Sequence, residues 1–259
     1  VRRWEHLPSP PADDVHLPEF ALNMVSDMAI HDNTDGTVLL VANAINFNGT
    51  DENVDAAYAD ARARLNRMVE RLARGASDMV SVLSDVSRVD ERVRHEVTET
   101  WSEQGYMDAI DKAKKNIVDG DVFQIVPSRR FEVATKANPL DVYRMLRQSN
   151  PSPYMYLFNF VDPAGTPFHI VGSSPEALVT LKDGKATTHP IAGSRPRGAT
   201  REQDIALAQE LLADQKELSE HLMLVDLARN DLSRIAKPGT VSVDEFMIIE
   251  RFSHIMHIS

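Results

Sequence analysis

The 259-residue sequence has no cysteine, no long apolar run and no nucleotide-binding glycine loop. Without cysteine it can form neither a disulfide framework, nor a cysteine-ligated metal centre, nor a thiol nucleophile. Its apolar runs are all shorter than the roughly 18 to 20 residues of a membrane-spanning helix, and the first residues lack a signal-peptide core. These absences lead us to expect a globular, cytoplasmic protein.

The sequence also has fewer basic than acidic residues. The 28 lysine and arginine residues are outnumbered by 39 aspartate and glutamate residues, which gives a formal net charge of -11. Phosphate contacts require clustered lysine and arginine, so this balance argues against a nucleic-acid-binding protein.

The sequence opens at Val1 rather than at methionine and stops at Ser259, inside an apolar stretch. We therefore expect an internal fragment of a longer protein, lacking N-terminal and C-terminal parts.

The first part of the sequence predicts a hairpin and a helix. Strands at 20–25 and 37–41 flank a turn rich in Asp and Asn, and apolar residues at steps of three and four predict a helix over 51–75. The polar segment 76–97 has no clear period. We expect this segment to be the connection that ends an N-terminal portion, residues 1–97.

The second portion, residues 98–259, predicts alternating helices and short strands. Asn138 before a proline and a capping box that opens at Thr200 supply two of the helix starts. Short strands joined by hairpins, with helices grouped between them, favour an α+β fold with largely antiparallel sheets packed with helices. The predicted helices are at 101–118, 139–148, 200–213 and 216–232, and the predicted strands are at 122–126, 154–161, 168–173 and 177–181.

Two carboxylates in the last predicted helix form a candidate site. Glu217 and Glu220 are three residues apart, so a helix places both on the same face. The nearly continuous apolar run 222–227 follows them and indicates little solvent exposure. Close carboxylates repel unless a cation neutralises them, and oxygen-only ligation suits Mg²⁺. The alternative is that two acids in a first helical turn simply interact favourably with the helix dipole.

Three further features are each ambiguous. Glu176 follows a predicted strand and turn, where either a general acid or an exposed loop acid is expected. His254 and His257 have helical spacing and are either metal ligands or hydrogen-bonded structural histidines. The segment 190–198 is rich in Gly and Pro and carries two arginines. It could bind a carboxylate or phosphate through backbone N–H groups, or form a tight connection.

The order of six motifs along the chain is more specific than any one of them. This succession closely resembles the large, chorismate-binding subunit of anthranilate synthase over about 101–259, and the preceding strands and helix resemble it weakly. The resemblance implies the chorismate-utilising α+β fold and a reaction in which a nucleophile adds at C2 of chorismate as the C4 hydroxyl departs. The motifs lie at 120–131, 150–156, 174–176, 190–198, 216–232 and 254–257.

The resemblance also implies roles for single residues. Glu220 matches a direct Mg²⁺ ligand and Glu217 a second or water-mediated ligand. Glu176 matches the general acid that protonates the departing hydroxyl. His257 matches the active-site histidine that positions or polarises the reacting ring, whereas His254 matches no family position.

Four residues near the substrate complete this comparison. The backbone at Gly193 and the hydroxyl of Ser194, where the family usually has threonine, are implied to contact substrate. Isochorismate- and salicylate-forming members have a lysine base at the position of Gln124, and aminodeoxychorismate synthases have a lysine nucleophile at the position of Ala192. Neither side chain here can take that role. The resemblance therefore implies ammonia as the nucleophile and, after pyruvate elimination, anthranilate as the product, in the first committed step of tryptophan biosynthesis.

Two partners follow from the same resemblance. Ammonia would come from a separate glutamine amidotransferase subunit, because the sequence has no glutaminase motif. Feedback inhibition by L-tryptophan is an expectation for the longer protein, since the segment for one wall of the tryptophan site is present and the segment for the other wall is absent. The residues of the present wall are Asn150, Pro151, Ser152, Pro153, Tyr154 and Met155.

Later motifs of the family are missing from the sequence, including further Mg²⁺ glutamates and a strand that binds the substrate carboxylate. We therefore expect little turnover by these 259 residues alone.

Within the enzyme class, the alternative is a relative of aminodeoxychorismate or isochorismate and salicylate synthases. From a different class, the alternative is a non-catalytic acidic binding module with Glu217 and Glu220 as surface acids.

Overall fold

A computed structural model describes residues 12–74 and 97–259. The segment 76–97 lies outside the described residues except for residue 97, so the boundary between residues 1–97 and 98–259 stays a prediction. The described residues fall into two units, which are 12–74 with 158–169, and 97–157 with 170–259.

A β-hairpin and a long helix make up most of the first unit. β1 (Asp27–His31) and β2 (Val38–Ala42) pair antiparallel. The side chains of Asp32 and Asp35 each accept a backbone N–H and tighten the turn between the strands. The helix α1 (Val54–Ala73) confirms the helix that the period of apolar residues predicts.

The predicted first strand of this hairpin, 20–25, is wrong. The observed strand β1 begins at Asp27, which pairs with Ala42, and ends at His31, which pairs with Val38 next to the turn. Phe20 and Leu22 are each 77% exposed. Their apolar character is typical of a strand, but the register of the hairpin leaves them without a pairing partner among the residues that the structure describes.

Four helices in the second unit confirm the predicted ones closely. Each begins at a residue whose side chain accepts a backbone N–H, which satisfies groups that a helix N-terminus otherwise leaves unpaired. These capping residues are Ser102, Asn138, Thr200 and Asp214. No helix within the described ranges is long and apolar enough to cross a membrane. The helices are α2 (Glu103–Asp119), α3 (Pro139–Ser149), α4 (Arg201–Ala213) and α5 (Gln215–Ser233).

The remaining strands are short and form several small sheets. Three two-stranded sheets pair β3 (Thr98–Glu99) with β4 (Phe131–Glu132), β5 (Tyr154–Val161) with β6 (Pro167–Ser174), and β7 (Thr180–Lys182) with β8 (Lys185–Thr187). An antiparallel three-stranded sheet in the order β10-β11-β9 contains β9 (Ala192–Pro196), β10 (Ile249–Arg251) and β11 (Ile255–Ile258). Helices beside antiparallel strand pairs confirm the predicted α+β class.

Three local predictions in the second unit are wrong. Residues 122–126, predicted as a strand, have no regular structure, and Phe123 is 89% exposed because no described strand pairs with this segment. The segment 190–198 contains the unpredicted strand β9. The helical spacing of His254 and His257 has no counterpart in the structure, because β11 begins between them.

The buried core of the second unit lies where α4 packs on β9 and β11. Leu211, Met256 and Ile258 are fully buried, and Ala208 is nearly so. Ala208 and Leu211 lie near the C-terminal end of α4, so their packing on Met256 and Ile258 brings the α4–α5 junction close to the three-stranded sheet. The first turn of α5 therefore lies against β9.

Candidate active site

β9 contains a bulge at Gly193. Ser194 pairs with His257, whereas Ala192 pairs with the residue after His257, so Gly193 is the extra residue between the two pairs. Its φ of 70° lies in the left-handed region, which glycine adopts without strain. A Cβ added to Gly193 would lie 3.2 Å from the Cβ of Glu217. The bulge therefore brings the backbone of β9 into direct contact with the first turn of α5.

Ser194 and His257 face each other across the β9–β11 pair. Ser194 Oγ lies 2.9 Å from Nδ1 of His257, and the carbonyl oxygen of Gly193 lies 3.2 Å from the same nitrogen. A carbonyl can only accept a hydrogen bond, so this arrangement favours a proton on Nδ1 that is donated to the Gly193 carbonyl. The ring of Phe252 packs edge-on against the imidazole, with centroids 5.7 Å apart. These contacts define the orientation of the His257 ring.

Glu217 and Glu220 lie in the first turns of α5 and bind one cation together. Nζ of Lys216 is 3.2 Å from Oε1 of Glu217 and 2.7 Å from Oε2 of Glu220. The side chains of Glu217 and Glu220 are 16% and 30% exposed, whereas that of Lys216 is 71% exposed. Hydrogen bonding to Glu220 is the main cause that raises the pKa of Lys216, and Glu217 contributes to the same shift. The carboxylate pair thus attracts positive charge at the surface of the site.

The carboxylate pair fits a magnesium site that is completed by other ligands. Its donors are all oxygen atoms, which Mg²⁺ prefers, and Mg²⁺ is commonly held by one or two carboxylates while it keeps waters or substrate oxygens. Lys216 shows that a cation is accommodated between Glu217 and Glu220. In the described part of the chain, no group of three or more histidine, aspartate and glutamate side chains could hold a metal ion. The described residues therefore offer a pair of carboxylates with the chemistry to ligate a metal ion rather than a closed cage.

Gln124 belongs to the same site. Its Nε2 donates a hydrogen bond of 3.4 Å to Oε1 of Glu220. The segment that carries Gln124 was predicted as a strand but approaches α5 as irregular chain. An amide is neutral at all accessible pH values, so Gln124 can orient a carboxylate but cannot remove a proton.

Glu176 lies in a different cavity of the second unit. This cavity, of about 430 Å³, is also lined by Leu224, Leu227 and Asp231 of α5. These residues follow Glu220 at helical spacing, so the cavity continues the face of α5 that carries Glu220. Among the described residues, the Glu176 carboxylate has no hydrogen bond or ion pair. The structure therefore places Glu176 along the helix face of Glu220, without direct contact to it.

The segment Asn150–Met155 lies beside the turn that precedes Glu176. Pro153 lines a cavity together with Pro175 and Phe252. Because Phe252 also packs on His257, one aromatic ring connects this cavity with the candidate active site.

Both arginines of the segment considered as an anion site are paired within the chain. Arg195 donates hydrogen bonds of 2.8 Å to Glu210 and 2.9 Å to Asp214. Arg197 donates a hydrogen bond of 2.7 Å to Asp204. Each guanidinium already has a carboxylate partner, and the segment forms strand β9 rather than a tight connection.

Sequence reasoning missed the residues that support the carboxylate pair. Asp214 directly precedes α5, which is a capping signature, and Lys216 adjoins Glu217, so both could have been found from local pattern. The role of Arg195 has no local signal, because its partners Glu210 and Asp214 are 15 and 19 residues away in sequence.

Comparison with known proteins places this arrangement in a family. The model of the chorismate binding enzyme family matches residues 1–259, which is the whole chain. The chain belongs to the chorismate binding enzyme family. This membership confirms the family that the order of the sequence motifs indicates.

Individual members of the chorismate binding enzyme family are closely similar. The chain is 58% identical over 258 residues to anthranilate synthase component 1 of Arthrobacter globiformis and 54% identical over 259 residues to that of Mycolicibacterium smegmatis, with 100% of this chain and 48% of each relative covered. The crystal structure of anthranilate synthase component I from Streptococcus pneumoniae TIGR4 superposes with a TM-score of 0.69 at 33% identity, covering 90% of this chain and 48% of that chain. The chain spans about half the length of the curated relatives it matches.

Proposed function

We propose that this chain is the chorismate-binding part of an anthranilate synthase, which converts chorismate and ammonia into anthranilate with release of pyruvate. The observation that carries this proposal is that Gly193 contacts one member of each of two side-chain pairs, Glu217 of the carboxylate pair and His257 of the Ser194–His257 pair. Glu217 and Glu220 come from α5, and Ser194 and His257 come from β9 and β11. The similarity to anthranilate synthase components supports the choice of reaction.

Magnesium is part of this proposal. Glu220 would be a direct ligand, and Glu217 would be a second or water-mediated ligand. An ion bound there would neutralise and orient a carboxylate of chorismate. The position of Lys216 between the same two carboxylates supports a cation site.

The remaining side chains would act on the reacting ring. Glu176 is the proposed general acid, which protonates the C4 hydroxyl so that it leaves as water while ammonia adds at C2. His257 would position or polarise the ring, and its orientation by Ser194 supports that role. The Gly193 backbone and the Ser194 hydroxyl would contact the substrate. Loss of pyruvate from the aminated ring then produces anthranilate.

Two side chains favour ammonia over the nucleophiles of related enzymes. Gln124 is hydrogen-bonded to Glu220, where it cannot deprotonate a water molecule. Ala192, next to the bulge, has no group that could form a covalent adduct. Both residues support anthranilate rather than isochorismate, salicylate or aminodeoxychorismate as the product.

Two partners belong to the same proposal. A separate glutamine amidotransferase subunit would supply ammonia, because the chain has no cysteine to serve as a glutaminase nucleophile. L-Tryptophan would bind at Asn150–Met155 as a feedback inhibitor. The cavity beside Pro153, which Phe252 connects with His257, supports this position.

The test uses the full-length protein with chorismate, Mg²⁺ and ammonium at mildly alkaline pH. The product is identified by mass and fluorescence. We expect anthranilate, and we expect Glu220→Gln to abolish its formation. Asp226→Asn is the matched control, because Asp226 lies on the same helix with its side chain 79% exposed and should leave activity intact.

Other outcomes would redirect the proposal. Isochorismate or salicylate as the product would keep the family but overturn the argument from Gln124. No consumption of chorismate would favour the non-catalytic acidic module. We also expect the 259 residues alone to turn over little, and steady anthranilate formation by them would contradict that expectation.

A further inference from the structure

Arg195 connects the strand of the candidate active site with the start of α5. It follows Ser194 in β9, and its guanidinium donates to Oδ2 of Asp214 at 2.9 Å and to Oε1 of Glu210 at 2.8 Å. The Arg195 side chain is 20% exposed and that of Asp214 is 32% exposed, whereas Glu210 is 61% exposed. The bond to Asp214 is therefore the better shielded of the two.

Asp214 also bonds the backbone of the first turn of α5, which carries the proposed metal ligands Glu217 and Glu220. Its other carboxylate oxygen, Oδ1, accepts the backbone N–H groups of Lys216 at 3.0 Å and Glu217 at 3.3 Å. One carboxylate thus caps α5 with one oxygen and binds β9 with the other. The backbone of Glu217 is two hydrogen bonds away from Arg195, and the Glu217 side chain packs on the bulge at Gly193.

We propose that Arg195 is a positioning residue for the Mg²⁺ ligands Glu217 and Glu220. This inference rests on the proposed function, because it assumes that these carboxylates bind the metal. Arg195 touches neither metal nor substrate. It acts through Asp214, by holding the first turn of α5 at the distance from β9 at which Glu217 packs on Gly193.

The second arginine of the same strand segment provides an internal contrast. Arg197 donates to Asp204 at 2.7 Å and to the carbonyl of Phe252 at 2.7 Å. Asp204 lies in the first turn of α4, not of α5. Arg197 therefore stabilises the same sheet without any bond to the helix that carries the metal ligands, so loss of Arg197 should affect folding but not metal affinity.

The decisive measurement is Mg²⁺ binding to the full-length protein by titration calorimetry without substrate, well below the unfolding temperature. We expect Arg195→Met to raise the Kd for Mg²⁺ by about tenfold or more, as for other groups that orient metal ligands. Arg195→Lys should recover part of the affinity, because an ammonium can bond one carboxylate but lacks the fork of a guanidinium. Glu210→Gln should bind Mg²⁺ normally, because the bond to Asp214 remains.

Arg197→Met controls for a general loss of stability. It should lower the unfolding temperature at least as much as Arg195→Met and leave the Kd for Mg²⁺ unchanged. A chorismate KM that rises in Arg195→Met and returns when Mg²⁺ is raised would support the same role. If Arg195→Met does not fold, the Kd for Mg²⁺ of Arg195→Lys is compared with that of Glu210→Gln, and we expect the weaker binding in Arg195→Lys.

The failures of the two proposals are distinguishable. Normal Mg²⁺ affinity in Arg195→Met, or in Arg195→Lys if Arg195→Met does not fold, would overturn the positioning role alone. Equal loss of affinity in Arg197→Met would also overturn it. Absence of Mg²⁺ binding by the unaltered protein would overturn the proposed function and, with it, this inference.

Discussion

Lys216 Nζ lies 2.7 Å from Oε2 of Glu220 and also contacts Glu217, so the ammonium bridges the two carboxylates. The pKa of Lys216 is raised, chiefly by its hydrogen bond to Glu220, and the group stays charged at neutral pH. This lysine neutralises two neighbouring carboxylates whose charges would otherwise repel. A metal ion bound by the same two carboxylates, as we propose, would have to displace it.

Removal of this ammonium should therefore strengthen metal binding. We expect Lys216→Met to lower the Kd for Mg²⁺ by roughly two- to fivefold, the scale of an exposed ion pair. Titration calorimetry measures the change. Lys237→Met, which removes one exposed positive charge outside α5, should leave the Kd unchanged. Weaker binding in Lys216→Met would show instead that Lys216 helps to build the metal site.

Gly193→Ala should separate β9 from α5. The new Cβ would lie 3.2 Å from Cβ of Glu217 and 3.1 Å from Cδ1 of Ile258, and its left-handed backbone alone costs about 1 to 2 kcal/mol. Gly184→Ala is the matched control, since Gly184 has a φ of 77° but nothing within 4 Å of the added Cβ. Urea unfolding should show a larger loss of stability at 193 than at 184. Equal losses would mean that backbone strain, not packing on Glu217, explains this glycine.

Ser194→Ala should impair the orientation of His257. It removes the hydroxyl 2.9 Å from Nδ1, and a hydrogen bond of this kind contributes about 0.5 to 1.5 kcal/mol. We expect a roughly two- to tenfold lower kcat/KM for chorismate in the full-length protein, which follows from that energy. Ser194→Thr keeps the hydroxyl and should stay near the unaltered value. An unimpaired Ser194→Ala variant would exclude a role for this contact.

Asp204 should make the protein sensitive to acid. Arg197, the Gly198 backbone N–H and Arg251 hold the pKa of Asp204 well below its usual range. Because the folded-state pKa is depressed, the stabilisation is present above the unfolded pKa of about 3.9 and is lost as the pH falls below that value. Asp204→Asn should lower the unfolding temperature at pH 7 and reduce its decrease between about pH 5 and pH 3. An identical acid dependence in both proteins would assign the sensitivity to other carboxylates.

Helices of this protein were predictable because their signals are local. Asn138 accepts the backbone N–H of Leu140 and Thr200 that of Gln203, so each cap lies within two or three residues of the group that it satisfies. The α5 start shows the same property at Asp214. Such contacts form whatever the rest of the chain does, so the sequence pattern alone locates them.

Strands were predictable only where their partners are close in sequence. β7 and β8 are joined by a tight turn at Asp183 and Gly184, and the turn residues indicate it. By contrast, β9 pairs with β11 about sixty residues later, and Ser194 bonds His257 at a separation of 63 residues. Gly193 in β9 is typical of a loop in the sequence pattern. What requires a glycine there is a bulge that packs against Glu217, and Glu217 belongs to another element.

Sequence alone therefore determined the α+β class, the family and the helical carboxylate pair, because each depends on residue order or on spacing within one helix. Only the tertiary structure decided what surrounds Glu217 and Glu220. It brought Gln124 to Glu220 from 96 residues away and bonded Asp214 to Arg195 from 19 residues away. The bond of Asp214 to Arg195 depends on the packing of α4 and α5 on β9, which no local pattern specifies.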